Sequence, residues 1–361
     1  MGLQSRWGGG MKTNYKSRNV YLDIFKYFLC YLVICIHLVG ESYSHFPLYR
    51  LAVPMFFLIS GYFSYVEGDK QKRALGNIKR TGKYLLIGFL IYIVFDFIGC
   101  YINGNGVGYY FTTLFYQDIF LNLVVLNTPI TYTGAQLWFL IALFFVSVVH
   151  YLLVRYKKEK WYYYIVPICF ALYFFFSAYM YIFQYTDMPI RYVRNAWLFG
   201  LPVFGLGYLI ARINFNKKSF YKYIYLALAI IFFVLQIYED RLLRYLSNDA
   251  PLNIEMYITS VLSAICFLQF FLGIENANSD KYYRFFGKNG SFYVYILHMA
   301  VAVVLSYFMS FNNLLLKSLL ILVISFLLYW AGYGVSQLIK YIKGNRLAKK
   351  VTDEVSIDKI E

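Results

Sequence analysis

The sequence predicts an all-α, polytopic membrane protein of about ten transmembrane helices around a polar cavity, with both termini cytoplasmic. Composition supplies the first observation. Of 361 residues, 60% are hydrophobic, 22% aromatic and only 14% charged, against roughly 25% charged in soluble domains. Segment length supplies the second, because repeated apolar runs of about 20 residues match the ~30 Å hydrocarbon core of a bilayer. The third is the placement of the net charge of +16. It alternates with the apolar segments, which points to membrane topology and away from a nucleic-acid partner.

Taken in order, the first 19 residues are polar, basic and glycine-rich, show no apolar stretch of a secretory signal, and read as a disordered lead with Met11 as an alternative start. Spans are expected at roughly 20–41, 46–66, 84–102, 134–154, 161–183, 195–213, 220–238, 252–274, 291–310 and 316–340. The link Ser42 to His45 is short, so the first two spans should be antiparallel neighbours. With the N-terminus inside, 28 of the 34 Lys and Arg residues fall on the cytoplasmic side, and Arg50, Arg191, Arg194, Arg241, Arg244 and Lys317 fall opposite.

The outer loop from Asn103 to Thr133 contains no Lys or Arg. Its apolar stretch Leu114 to Val125 is too short to cross and is expected at the interface as a partly re-entrant segment. The run Gly104-Asn-Gly-Val-Gly has no strand before it to make a phosphate loop. After Lys343 the tail is polar, mixed in charge and expected to be disordered. The chain therefore divides into a lead (1–19), a membrane domain (20–343) and a cytoplasmic tail (344–361). Cys30, Cys35, Cys100, Cys169 and Cys266 lie scattered in apolar segments and suggest neither a disulfide framework nor a metal site.

The first span carries the polar side chains of most interest. At about 100° per residue, Asp23, Lys26, Cys30, Ile34, His37 and Glu41 share one stripe, with Lys26 and His37 ~16 Å apart along the axis. Each ionisable group near a bilayer centre costs ~2.5–3.5 kcal/mol on insertion scales, so the stripe should face protein or water. His37 can serve as a general base oriented by Glu41, or as a hydrogen-bonded core histidine. Lys26 can pair with Asp23 three residues away, facing a phosphorylated donor or snorkelling to the interface. Ser60-Gly61 permits close approach of a helix or ligand. The basic segment Lys70 to Lys83 suits anionic lipid or phosphate equally. His45 and His150 lie near span ends and read as interfacial.

Several stretches then fall into a familiar order: Lys26 with ten residues before His37, Phe56-Phe-Leu-Ile-Ser-Gly-Tyr62, Arg80-x-x-Lys83, Gln136-Leu-Trp-Phe-Leu140, and Gly287-Lys-Asn-Gly-Ser-Phe-Tyr-Val-Tyr-Ile-Leu-His298. From residue 20 to about 340 the chain resembles acyltransferase family 3, the integral-membrane O-acyltransferases of bacterial surface glycans. The resemblance implies a multi-pass protein of the inner (plasma) membrane, an acyl-CoA donor (acetyl-CoA or another) arriving from the cytoplasm, and a glycan or lipid-linked sugar acceptor on the opposite side. No permanently bound cofactor is implied.

On that resemblance His37 is the catalytic histidine and Lys26 its basic partner; the stripe itself adds Asp23 and Glu41 to the catalytic group. Arg80 and Lys83 occupy an Arg-x-x-Arg position, with lysine losing the bidentate fork of the second arginine. The CoA phosphates are assigned to Arg73, Arg80 and Lys83, and an oxyanion donor to Ser60 or Trp138. Arg50, Trp138, Arg191, Arg194 and His298 are the acceptor-side candidates, the arginines as exposed cations and His298 with a structural hydrogen bond as its expected role. A transporter or flippase of a glycan or lipid-linked sugar, with the stripe lining a path, is the alternative; a multipass scaffold would not need the stripe.

Overall fold

The computed structural model describes residues 19–38, 46–102, 104, 108, 118–183, 185, 188–213, 221–248, 252, 254–274, 289–308 and 313–357. The described residues form helices with no strand among them. The long helices are α1 (Val20–Leu38), α2 (Ala52–Tyr62), α3 (Lys70–Ile102), α4 (Trp138–Arg155), α5 (Tyr162–Phe176), α6 (Leu201–Ile213), α7 (Lys222–Leu246), α8 (Ile258–Leu272), α9 (Gly290–Phe308) and α10 (Leu314–Ile357). By length and composition, six segments can cross a bilayer: Val20–Leu38, Lys70–Ile102, Ala135–Arg155, Ala196–Ile213, Gly290–Phe308 and Leu314–Ile339. The protein is thus a helical, multi-pass membrane protein.

Local chemistry fixes where these helices begin. Asn19 accepts the Leu22 N–H at 3.0 Å, an N-cap for α1, while its amide nitrogen donates to the Phe271 carbonyl at 2.5 Å and ties that start to the end of α8. Asp69 caps α3 through the Lys72 N–H at 2.9 Å. Lys70 reaches Glu159 at 3.2 Å, joining the start of α3 to the turn between α4 and α5. Burial alone would raise the Glu159 carboxyl; its own backbone N–H, Lys70 and Arg212 outweigh that and hold it below its usual range. These anchors gather one end of the bundle, where the starts of α1, α3, α5 and α9 meet the ends of α2, α4 and α8. This is the basic end of the bundle.

Backbone packs directly on backbone where α2 meets α6. A Cβ on Gly61 would lie 1.9 Å from the Phe204 carbonyl oxygen, and one on Gly207 would lie 2.1 Å from that of Leu58. The two backbones touch, so the close approach expected at Ser60-Gly61 is taken up by a helix.

Several expectations change. The second span is broken into a short turn, Phe46–Tyr49, and α2. The basic segment from Lys70 is already helix, because Asp69 caps it and strong helix formers follow. Likewise the tail expected to be disordered continues α10 through Lys343 to Ile357, where the run Arg346-Leu-Ala-Lys-Lys350 is made of strong helix formers. Within the loop before α4, Leu121–Leu126 forms a single π-helical turn. Asn127, at φ 54°, accepts the Ala196 N–H at 2.5 Å and pins that turn to the entrance of α6. His150 is buried, not interfacial; its Nδ1 lies 3.2 Å from the Tyr162 hydroxyl and its ring packs on Phe204 and Tyr208. The link Ser42 to His45 lies outside the described residues.

Candidate active site

At the basic end a cavity of about 270 Å³ opens between α1, α2, α3, α4 and α9. Its mouth carries Asp23, Lys26, Arg73 and Arg80, and its interior is walled by Phe56, Ile59, Ser60, Phe63, Phe139, Phe292 and Tyr295, with Asn289 and Ser291 at the start of α9. Three cations against one carboxylate leave this mouth positive. Lys26 Nζ donates to Asp23 Oδ1 at 2.7 Å, the pair expected from their spacing. The Arg73 guanidinium is anchored, donating to the Phe63 carbonyl at 3.1 and 2.8 Å and so clamping the end of α2 to α3. Arg80 is exposed, with its guanidinium 5.9 Å from the centre of the Phe292 ring, which stacks on Tyr84 at 4.8 Å. Lys83 is exposed on α3 and is not among the residues lining the cavity. Ser60 lines it, but its hydroxyl donates to the Phe56 carbonyl at 2.8 Å, one turn back along α2.

Inward, the cavity ends on three aromatic rings in mutual contact. Phe139 lies 5.2 Å from Tyr295 and 5.8 Å from Phe56, and Phe56 lies 6.2 Å from Tyr295. Tyr295 also donates its hydroxyl to the Gln136 carbonyl. The far face of Tyr295 meets His298 at 5.7 Å, and His298 meets His37 at 5.5 Å. His298 is 1% exposed, whereas His37, in ring contact with it, is exposed. Open space therefore reaches His37 at the end of α1, while His37 is absent from the lining of the basic-end cavity. The stripe on α1 runs as the spacing requires, from Asp23 and Lys26 at the cavity mouth, past buried Cys30 and Ile34, to His37 beyond the aromatic wall. Glu41, its expected orienting partner, lies outside the described residues.

At the opposite end, Glu255 sits between two arginines. Arg50 Nη1 donates to Glu255 Oε2, and Arg194 Nη1 donates to Oε1 at 3.2 Å. The Arg194 guanidinium lies over the Trp138 ring at 5.2 Å, and both arginines are within electrostatic range of His37. The Tyr173 hydroxyl accepts the Glu255 and Met256 N–H groups at 3.0 and 2.9 Å, fixing the carboxylate's backbone. Arg50 was expected as an exposed cation, but it is buried, because Glu255 supplies the counter-charge that makes burial tolerable. Trp138 is buried beneath Arg194. Arg191 stays exposed over its neighbour Tyr192 at 5.1 Å and does not join the cluster. His298, placed among the acceptor-side residues, is too buried to touch a substrate as it stands. Sequence reading missed Glu255, although a lone carboxylate opening an apolar span was a visible signal.

A helical bundle that sinks titratable groups on both sides of an aromatic wall, within apolar spans, has the architecture of a multi-pass membrane protein with an internal site. The family to which it belongs follows from comparison: the model described as an acyltransferase domain, acyltransferase family 3, matches residues 19–335. The chain belongs to that family and is an acyltransferase, a transferase enzyme. No curated protein and no solved structure matches it.

Proposed function

We propose that the protein is an acyl-CoA-dependent O-acyltransferase, most simply an O-acetyltransferase, that modifies a cell-envelope or exported polysaccharide from the inner (plasma) membrane, with His37 as general base. The observation that carries this reading is the pairing of a positively charged cavity at one end with an openly reached histidine just beyond its aromatic floor.

The donor enters from the basic end, cytoplasmic by the positive-inside rule. Arg80 meets the phosphates, with Lys26 and anchored Arg73 adding positive charge, and the thioester lies toward Phe56, Phe139 and Tyr295. The acceptor hydroxyl approaches His37 from the other end. One imidazole nitrogen takes its proton as the oxygen attacks the thioester carbon. The tetrahedral oxyanion collapses, the C–S bond breaks, and the CoA thiolate leaves with a proton from the imidazolium. Because the Ser60 hydroxyl is committed within α2 and Trp138 is covered, Arg194 is the group offered for the oxyanion or for an anionic acceptor.

The test is release of CoA thiol from acetyl-CoA by purified protein, with envelope polysaccharide stripped of its esters by mild alkali as acceptor. His37→Ala should lower turnover by about 10²–10⁴-fold, the usual worth of a positioned base, with acetyl-CoA binding retained. Undiminished turnover in that variant removes His37 as the base.

A further inference from the structure

We propose that His298 is the positioning partner of His37: its Nε2 accepts the N–H on the far side of the His37 ring, which leaves the other His37 nitrogen as the base facing the acceptor. This inference rests on the reading of His37 as the base.

The tautomer of His298 follows from its surroundings. Its Nδ1 lies 2.6 Å from the Tyr295 carbonyl oxygen. A carbonyl can only accept, so Nδ1 carries the proton and Nε2 holds a lone pair. Among the described residues this Nε2 is buried and has no hydrogen-bond partner. An orphaned buried acceptor is costly, and a histidine kept only for packing would have no reason to bear that cost. Besides Tyr295, whose hydroxyl is bonded to the Gln136 carbonyl, the ring it touches is that of His37, with centroids 5.5 Å apart and planes inclined by 33°. A hydrogen bond of about 3 Å between two edge-facing imidazoles places their centres about 5 Å apart, so a small turn of the exposed His37 ring completes it. Catalytic hydrogen bonds tighten in this way in the reacting complex.

The turn that carries His298 is held from two sides. The Tyr92 hydroxyl inserts into the α9 ladder, donating to the Ile296 carbonyl at 2.5 Å and accepting the Ala300 N–H at 3.2 Å. Tyr295 is tied to the Gln136 carbonyl by its hydroxyl. A supporting group is useful only if it is itself fixed, and this one is. The pair gains and loses no proton overall: the acceptor's proton moves to the near nitrogen of His37 and then to the CoA thiolate, while the far N–H stays bonded to His298 and shares the imidazolium charge.

The experiment compares His298→Gln, whose side-chain oxygen can occupy the place of Nε2, with His298→Phe, which fills the volume and offers no acceptor, and includes His37→Ala. Acetyl-CoA and alkali-treated envelope polysaccharide are the probes, and kcat and KM are measured separately. The expected result is a fall in kcat of about a hundredfold for the phenylalanine variant, partial recovery in the glutamine variant, and unchanged KM for acetyl-CoA in both. A phenylalanine variant as active as wild type overturns the inference, as does a glutamine variant that folds and binds acetyl-CoA but is as impaired as phenylalanine. Should both variants be impaired only in KM, or the phenylalanine variant fail to fold and the glutamine variant lose all turnover, His298 is a packing residue and the inference falls. Failure of the base assignment is separate: it would show as an active His37→Ala.

Discussion

Glu255→Gln tests the end of the site opposite the basic cavity. The side chains of Arg50 and Glu255 are only 5% and 4% exposed, and that of Arg194 is 30% exposed. Removing the carboxylate leaves the buried Arg50 guanidinium beside a neutral amide, and breaking such a pair from one side costs about 3–5 kcal/mol. Arg194 adds little to that figure, since its partly exposed charge can turn to water. For a chain of 361 residues the loss corresponds to an apparent melting shift of roughly 4–7 °C. Intrinsic tryptophan fluorescence of purified protein during heating reads this shift, and Trp138 under Arg194 makes the local environment visible. The double variant Arg50→Met with Glu255→Leu removes both charges at similar volume and should return to within about 2 °C of wild type. A single variant melting within about 1 °C of wild type, or a double variant with the summed losses of both singles, would refute the claim that the pair is buried and mutually dependent.

Three further outcomes follow from the cavity and the helix contact. Arg80→Glu should raise the KM for acetyl-CoA by about tenfold or more while Lys83→Glu changes it by less than about threefold, because Arg80 lines the mouth and Lys83 does not; steady-state kinetics with each variant decide it, and equal effects would return both to a lipid-facing role. Phe139→Ala removes one ring of the wall on which the cavity ends, so turnover of butyryl-CoA relative to acetyl-CoA should rise, and an unchanged ratio of kcat/KM would show that the wall does not limit acyl length. Gly61→Val would drive side-chain atoms into the Phe204 carbonyl; the cost is about 1–3 kcal/mol or more, read as lost monodisperse protein on size exclusion, and normal yield and melting would contradict the backbone contact.

How much of this was legible in the sequence depends on the range of each interaction. The stripe from Asp23 to His37 was readable because helical periodicity is local, and the Lys26–Asp23 bond needs only three residues of spacing. The close approach at Gly61 was readable in kind, since a Ser-Gly pair lets a helix or a ligand come near, but the backbone it meets, at Phe204, is far away in the chain. Arg50 was misread as exposed for the same reason. Its burial depends on Glu255, and nothing in the residues near either one announces the pair. The outer cations could be named as a group, whereas their division into buried Arg50, half-buried Arg194 and peripheral Arg191 is set by how α2, α8 and the segment before α6 meet. Helix ends were misjudged where the apolar run and the helix part company, as at Lys70 and beyond Lys343. There hydropathy marks the bilayer, while capping and propensity decide the backbone.

The aromatic wall imposes a condition on any transfer between the two ends. If the cavity ran open to His37, water and ions could cross the bundle, and a thioester held there would meet solvent before it met an alcohol. With Phe56, Phe139 and Tyr295 in contact, the donor's phosphates and most of its length can stay on the basic side, and only the acyl carbon needs to reach the imidazole. On the proposed reading a small acyl group needs to displace these rings less than a long one does. A long chain would have to part all three, against the bond from the Tyr295 hydroxyl to Gln136 and the close packing of Phe139. On the proposed reading, acetyl is therefore favoured by the barrier itself, without any pocket shaped for it. The same ring that closes the cavity touches His298, so a shift of Tyr295 that admits the thioester also presses on the residue proposed to orient the base. Donor arrival and alignment of the base then become one motion, which predicts that Tyr295→Leu lets acetyl-CoA hydrolysis rise relative to transfer; an unchanged ratio of hydrolysis to transfer would separate the wall from the chemistry.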